Sequence, residues 1–136
     1  MKKITKLAFI WLPTLFWMAF IFFLSSQQTT GISGTRTQRF FILKFFHLIE
    51  YSFLFLLFYR SLKLAKSKKP LIIAILFSLL FAVSDELHQA FVPGREGRPR
   101  DIFIDLFGIL LGLIPLKSIK NLPKFSTLLT SLRGPR

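Results

Sequence analysis

Residues Leu7–Leu24, LAFIWLPTLFWMAFIFFL, run for 18 positions without a charge. As a helix that run is about 27 Å long, close to the roughly 30 Å hydrocarbon thickness of a bilayer. Three further apolar segments follow: Phe40–Tyr59, Leu71 to about Phe91, and Ile102–Leu116. A chain of 136 residues with 18 phenylalanines and 52% hydrophobic residues has more large apolar side chains than a small soluble globule can hide. A soluble enzyme is therefore excluded, and so is a disordered basic tail, which would lack these residues. The sequence predicts an all-α membrane protein, a bundle of four transmembrane helices. Lys2, Lys3 and Lys6 resemble the start of a signal peptide, but the apolar run is long and no small-residue cleavage site follows it. Pro13 predicts a modest kink in this first helix.

The links agree with four helices. Ser25–Arg39 is polar and carries Gly31 and Gly34; Arg60–Pro70 is short and basic; Val92–Arg100, VPGREGRPR, is broken by Pro and Gly. No internal repeat or separate soluble domain is visible. Residues 1–120 read as the membrane domain and 121–136 as a basic cytoplasmic tail. The net charge of +13 does not imply nucleic acid, because the cations lie between apolar runs. Nineteen Lys and Arg divide unevenly: 13 fall in the N-terminus, the Arg60–Pro70 link and the tail, and six near the first and third loops. Basic residues favour the cytoplasmic side. The expected localisation is the cell membrane, multi-pass, with both termini cytoplasmic. There is no cysteine, hence no disulfide and no thiolate chemistry.

The six acids are Glu50, Asp85, Glu86, Glu96, Asp101 and Asp105, and none lies in a link assigned to the cytoplasm. From the inner helix ends, His47 lies 13 residues up its helix, Asp85 14 and Asp105 12, which is roughly 18–21 Å in each case. Three helices thus bring polar groups to one height, in the outer third of the bilayer. Lys44, His47, Glu50 and Tyr51 share one helical stripe, as do Asp101 and Asp105. Gly108 and Gly112 continue that second stripe as GxxxG, which permits close helix approach and turns the carboxylates inward. Lipid-facing charges at this depth cost about 2.5–3.5 kcal/mol each on the insertion scale. The acids must therefore pair with Lys44, His47 and Arg95 or face a wet cavity. A purely structural set of ion pairs is the alternative, and Glu50 in particular could simply partner Lys44. Glu96, Arg98 and Arg100 read as solvated loop charges, and His88 as interfacial.

KFFHLIEY, SDELHQAFVPGREGRPRDIFID and LFGILLG together resemble the VanZ-like family, as does FFLSSQ at the end of the first helix. The resemblance covers about residues 9–116. It implies a multi-helix bacterial membrane protein; the name-giving branch is associated with resistance to teicoplanin-type glycopeptides, which act on cell-wall precursors outside the membrane. The family pattern falls on Lys44, His47, Tyr51, Asp85, Glu86, Gln89, Phe91, Pro93, Gly94, Arg95, Asp101, Asp105 and Gly108. It often carries a small or amide residue near position 105, so Asp105 would make this site more acidic and favour a cation.

These residues suit a lipid head group. Arg95 and Lys44 could hold a phosphate, with backbone N–H groups of the Pro93-Gly94-Arg95 turn aimed at the same anion. His47 is the natural general base. Asp85, Glu86 and Asp101 could orient it or, with Asp105, bind a divalent cation. Tyr51 and Gln89 complete the binding set. Three readings stay open. The first is a phosphoester hydrolase or head-group transferase acting on a membrane lipid or lipid-linked cell-wall precursor. The second is a binding or shielding protein for such a precursor, which does not need His47. The third is a proton-coupled transporter, disfavoured by the lack of an inverted repeat.

Overall fold

In a computed structural model of the chain, residues 3–28, 34–95 and 97–121 are described. They form α1 (Lys3–Ser25), α2 (Arg36–Leu64), α3 (Pro70–Gln89), α4 (Asp101–Leu111) and α5 (Leu113–Asn121). Local signals explain the ends. Thr35 and Gln38 form a reciprocal capping box that starts α2. Its far end closes with Ser67 N–H donating to Leu62 O and Lys66 N–H to Lys63 O, with Lys66 in the left-handed region at φ 58°. Pro70 opens α3, where its missing N–H costs nothing. Pro13 lies inside α1.

Three helices are long and apolar enough to cross a membrane: Ile4–Ser25, Thr37–Leu64 and Pro70–Gln89. The fourth segment, expected as one helix, is divided at Gly112 into pieces of 11 and 9 residues. Pro115 has no N–H to give to Leu111 O, which interrupts the ladder there. Most of the expected tail, residues 122–136, lies outside the described residues, as do Gly31 and Glu96.

α2 is the central helix and packs against α1, α3 and α4; α3 also packs against α4. Contact pairs fix the directions. Ser61 of α2 meets Ile10 of α1, whereas Trp17 bonds Glu50, so α1 and α2 are antiparallel. Tyr51 faces Phe81 and Phe58 faces Phe77, so α2 and α3 are antiparallel too. Lys44 meets Asp101 and His47 meets Asp105, so α4 runs parallel to α2. The four elements therefore alternate in direction.

Small residues set the spacing. Ala74, Ser78 and Ala82 are fully buried on α3, and such residues let helices approach closely in lipid. A methyl at Gly108 would sit 2.7 Å from Leu48 O, and one at Gly112 would sit 2.6 Å from the Phe55 ring. This is the close approach that the GxxxG pattern predicts. The core between the helices holds Tyr51, Leu54, Phe55, Phe58, Ile21 and Ile109. Phe16, Phe45, Leu80 and Phe103 are exposed on the outer faces, as lipid contact requires.

Candidate functional site

The polar interior lies between the middle of α2, the C-terminal end of α3 and the N-terminal end of α4. α2 contributes Lys44, His47, Glu50 and Tyr51, α3 contributes Asp85, Glu86 and Gln89, and α4 contributes Asp101 and Asp105. All but Lys44 are buried. The height computed from the inner helix ends is thus matched by direct contact between the helices.

Two ion pairs link α2 to α4. Lys44 Nζ lies 2.6 Å from Asp101 Oδ2, and His47 Nδ1 lies 3.0 Å from Asp105 Oδ1. The helices are parallel, so a spacing of three on α2 meets a spacing of four on α4. Asp105, expected to pair with a nearby cationic side chain or to bind a cation, is thus the carboxylate that orients His47. Asp85, Glu86 and Asp101, the expected orienting groups, are engaged elsewhere. A carboxylate on Nδ1 places the ring proton there and leaves the Nε2 lone pair as the base. No partner occupies Nε2 among the described residues. Tyr51 stacks beside this ring, with centroids 6.2 Å apart.

A second network centres on Asp85. Its Oδ2 accepts from Ser25 Oγ at 2.8 Å, Gln89 Nε2 at 2.8 Å and Tyr51 OH at 3.3 Å. Tyr51 therefore joins the two networks, its ring beside His47 and its hydroxyl on Asp85. Ser25 escaped the sequence reading because it carries no charge and the depth count followed the acids. Its only signal was the FFLSSQ motif.

Arg95 reaches back from the third loop to the end of α1. Its Nη2 donates to Leu24 O at 2.7 Å, its Nε to Gln27 O at 2.9 Å, and its Nη1 to Gln89 Oε1 at 3.5 Å. The guanidinium thus caps carbonyls left over at a helix end. Burial lowers its pKa from the ordinary value, against the opposing pull of Asp85, Glu50 and Glu86; it stays charged. Its own N–H donates to Val92 O inside the turn, and Gly94 holds that turn at φ 79°. The phosphate contacts expected of Lys44, Arg95 and the turn would therefore compete with bonds already made.

Glu86 accepts a hydrogen bond from the backbone N–H of Arg98. Gly97 seats the loop against α3: a methyl there would lie 2.7 Å from Glu86 O. His88 lies apart, stacked on Phe22 and bonded to Ser26, and Phe91 is exposed. Among the described residues no group of three or more His, Asp or Glu is arranged to hold a metal ion. Asp85, Glu86, Asp101 and Asp105, the expected cation ligands, each serve different donors. One oxygen of each of these four carboxylates is nevertheless buried without a hydrogen bond.

No curated protein and no solved structure matches the chain. Residues 9–120, from within α1 to the penultimate residue of α5, match the family model described as VanZ/LLP1. With the sequence motifs placed on one polar interior and the match covering most of the chain, the protein belongs to the VanZ/LLP1 family.

Proposed function

We propose that this VanZ-family protein crosses the cell membrane four times, with both termini cytoplasmic, and acts on the head group of a membrane lipid or lipid-linked cell-wall precursor at its outer side. α4 and α5 together make the fourth crossing, at about 30 Å for their combined length. The 13-to-6 distribution of Lys and Arg supports the orientation. The observation that carries the reading is the buried His47–Asp105 pair, joined through Tyr51 to a network that draws on α1 and α3. A histidine with a carboxylate on Nδ1 and an open Nε2 has the arrangement of a general base. His47 Nε2 takes the proton of an attacking water or hydroxyl as the new bond to the head-group phosphorus forms. It then returns that proton to the leaving oxygen. The chemistry is phosphoester hydrolysis or head-group transfer.

A second reading, binding or shielding of a precursor without chemistry and hence glycopeptide resistance, is favoured by one observation. Asp85, the most connected acid, is held by Ser25, Tyr51 and Gln89, none of which is a base near neutral pH. Purified protein in nanodiscs with a panel of labelled lipids, with and without divalent cations, separates the two. Head-group release or exchange supports the first reading. Saturable binding without turnover supports the second.

A further inference from the structure

We propose that Glu50 is the ligand-facing carboxylate of this site and receives a primary ammonium group carried by a lipid head group. This rests on the head-group reading and names the chemistry of the ligand. The buried acids of the site differ in one respect. Asp85 has three donors, Asp101 has Lys44, Asp105 has His47 and Glu86 has the Arg98 N–H. Glu50 is only 9% exposed, yet its carboxylate has no hydrogen-bond or ion-pair partner among the described residues. Lys44, the natural candidate, is bound to Asp101 instead.

The side chain is buried on the α2 stripe that it shares with Lys44, His47 and Tyr51. Its electrostatic neighbours include His47 and Asp105 of one network and Asp85 and Arg95 of the other. Yet it is not sealed. The buried oxygens without a partner belong to Ser78, Asp85, Glu86, Asp101 and Asp105, and neither oxygen of Glu50 is among them. The carboxylate is therefore both unpaired and reachable.

The surrounding charge selects the ligand. The acids of the site, Glu50, Asp85, Glu86, Asp101 and Asp105, outnumber Lys44, His47 and Arg95; Lys44 is held by Asp101, and the Arg95 guanidinium is turned to carbonyl oxygens. An anionic group next to Glu50 would be repelled. An ammonium brings a positive charge and three N–H donors, and hydrogen bonds between ionised partners are the stronger kind. A quaternary ammonium has no N–H to give and is disfavoured. A neutral hydroxyl donates but leaves the carboxylate uncompensated, and unpaired buried charge is costly.

The test uses the full-length protein in phosphatidylcholine nanodiscs doped with phosphatidylethanolamine, phosphatidic acid or a neutral glycolipid. Native mass spectrometry reads which lipid is retained. Phosphatidylethanolamine should be enriched over the other three, and free ethanolamine should displace it where glycerol does not. Glu50→Gln should reduce that enrichment about tenfold or more, with no loss of thermal stability. Trp17 bonds the backbone carbonyl of Glu50 at 3.0 Å, a contact the substitution preserves. Glu50→Asp should keep the preference for the amine. Equal retention of all lipids, a preference for the glycolipid, or an unchanged preference in Glu50→Gln would overturn the proposal. So would a fall in melting temperature with Glu50→Gln, which would mark the residue as structural. Head-group release without amine preference would defeat this inference alone. Amine preference without head-group release would defeat only the catalytic reading.

Discussion

In the proposed chemistry His47 and Asp105 divide the work that a single residue cannot do. Asp105 fixes which ring nitrogen carries the proton, and His47 offers the other. Asp105→Asn should keep the fold and lower head-group turnover by on the order of 10²-fold or more. The amide can turn its NH₂ toward Nδ1 and hold the proton on Nε2, which removes the base. A circular-dichroism melt beside the lipid assay checks both halves of that expectation. Arg95 behaves differently. It ties Leu24, Gln27 and Gln89 together, and Lys has one nitrogen where Arg has three. Arg95→Lys should therefore lower stability by about 1–3 kcal/mol, read as a shift in melting temperature, and should loosen Gln89 from Asp85. The sequence singled out both residues, one as a base and one as an anion ligand. The chemical type of His47 was legible because its depth matched that of the acids. The role of Arg95 was not, because its acceptors are backbone carbonyls at the end of another helix, and carbonyls leave no mark in a sequence.

Helix faces carried more of the fold than single residues did. The stripe from Lys44 to Tyr51 and the Asp101, Asp105, Gly108, Gly112 stripe meet as α2 and α4, and the glycines are the reason they can. Gly108→Ala puts a methyl against backbone, where no side chain can swing away. It should cost about 1–3 kcal/mol in stability, and because the contact lies one turn from Asp105 it should also weaken the His47–Asp105 pair. A loss of head-group turnover at a temperature where the variant is still folded would show that coupling. Unchanged stability would mean that α2 and α4 do not meet backbone to backbone at Gly108. Which acid meets which cation could not be read from the stripes. Pairing depends on the relative direction and rotation of two helices, and α2 and α4 are separated in sequence by the whole of α3. The division at Gly112 was also hidden, because Pro115 acts on the carbonyl of Leu111 within a run that is apolar throughout.

Across the whole molecule, the alternating helices and the basic asymmetry predict one orientation. The native chain has no cysteine, so single substitutions report on sidedness cleanly. Phe91, 86% exposed on the third loop, is a better reporter than Gly97, which is packed against Glu86. Phe91→Cys should react with an impermeant thiol reagent on intact cells and Ser67→Cys should not; the reverse pattern would place the polar network on the cytoplasmic side. The helical class and the shared height of the acids were legible because burying charge in lipid is expensive and leaves few arrangements open. The proposed ligand class was less so, since Glu50 became informative only once every neighbouring acid was seen to have a partner. Whether the His47–Asp105 pair performs chemistry on a lipid head group is decided by one comparison. Wild-type and His47→Ala protein are placed in the same labelled-lipid nanodiscs, and head-group release is followed beside the melting temperature. The wild type should release head groups, His47→Ala should lose about 10²–10⁴-fold of that rate, and the melt should be preserved. A His47→Ala protein that is fully stable and fully active would contradict that role.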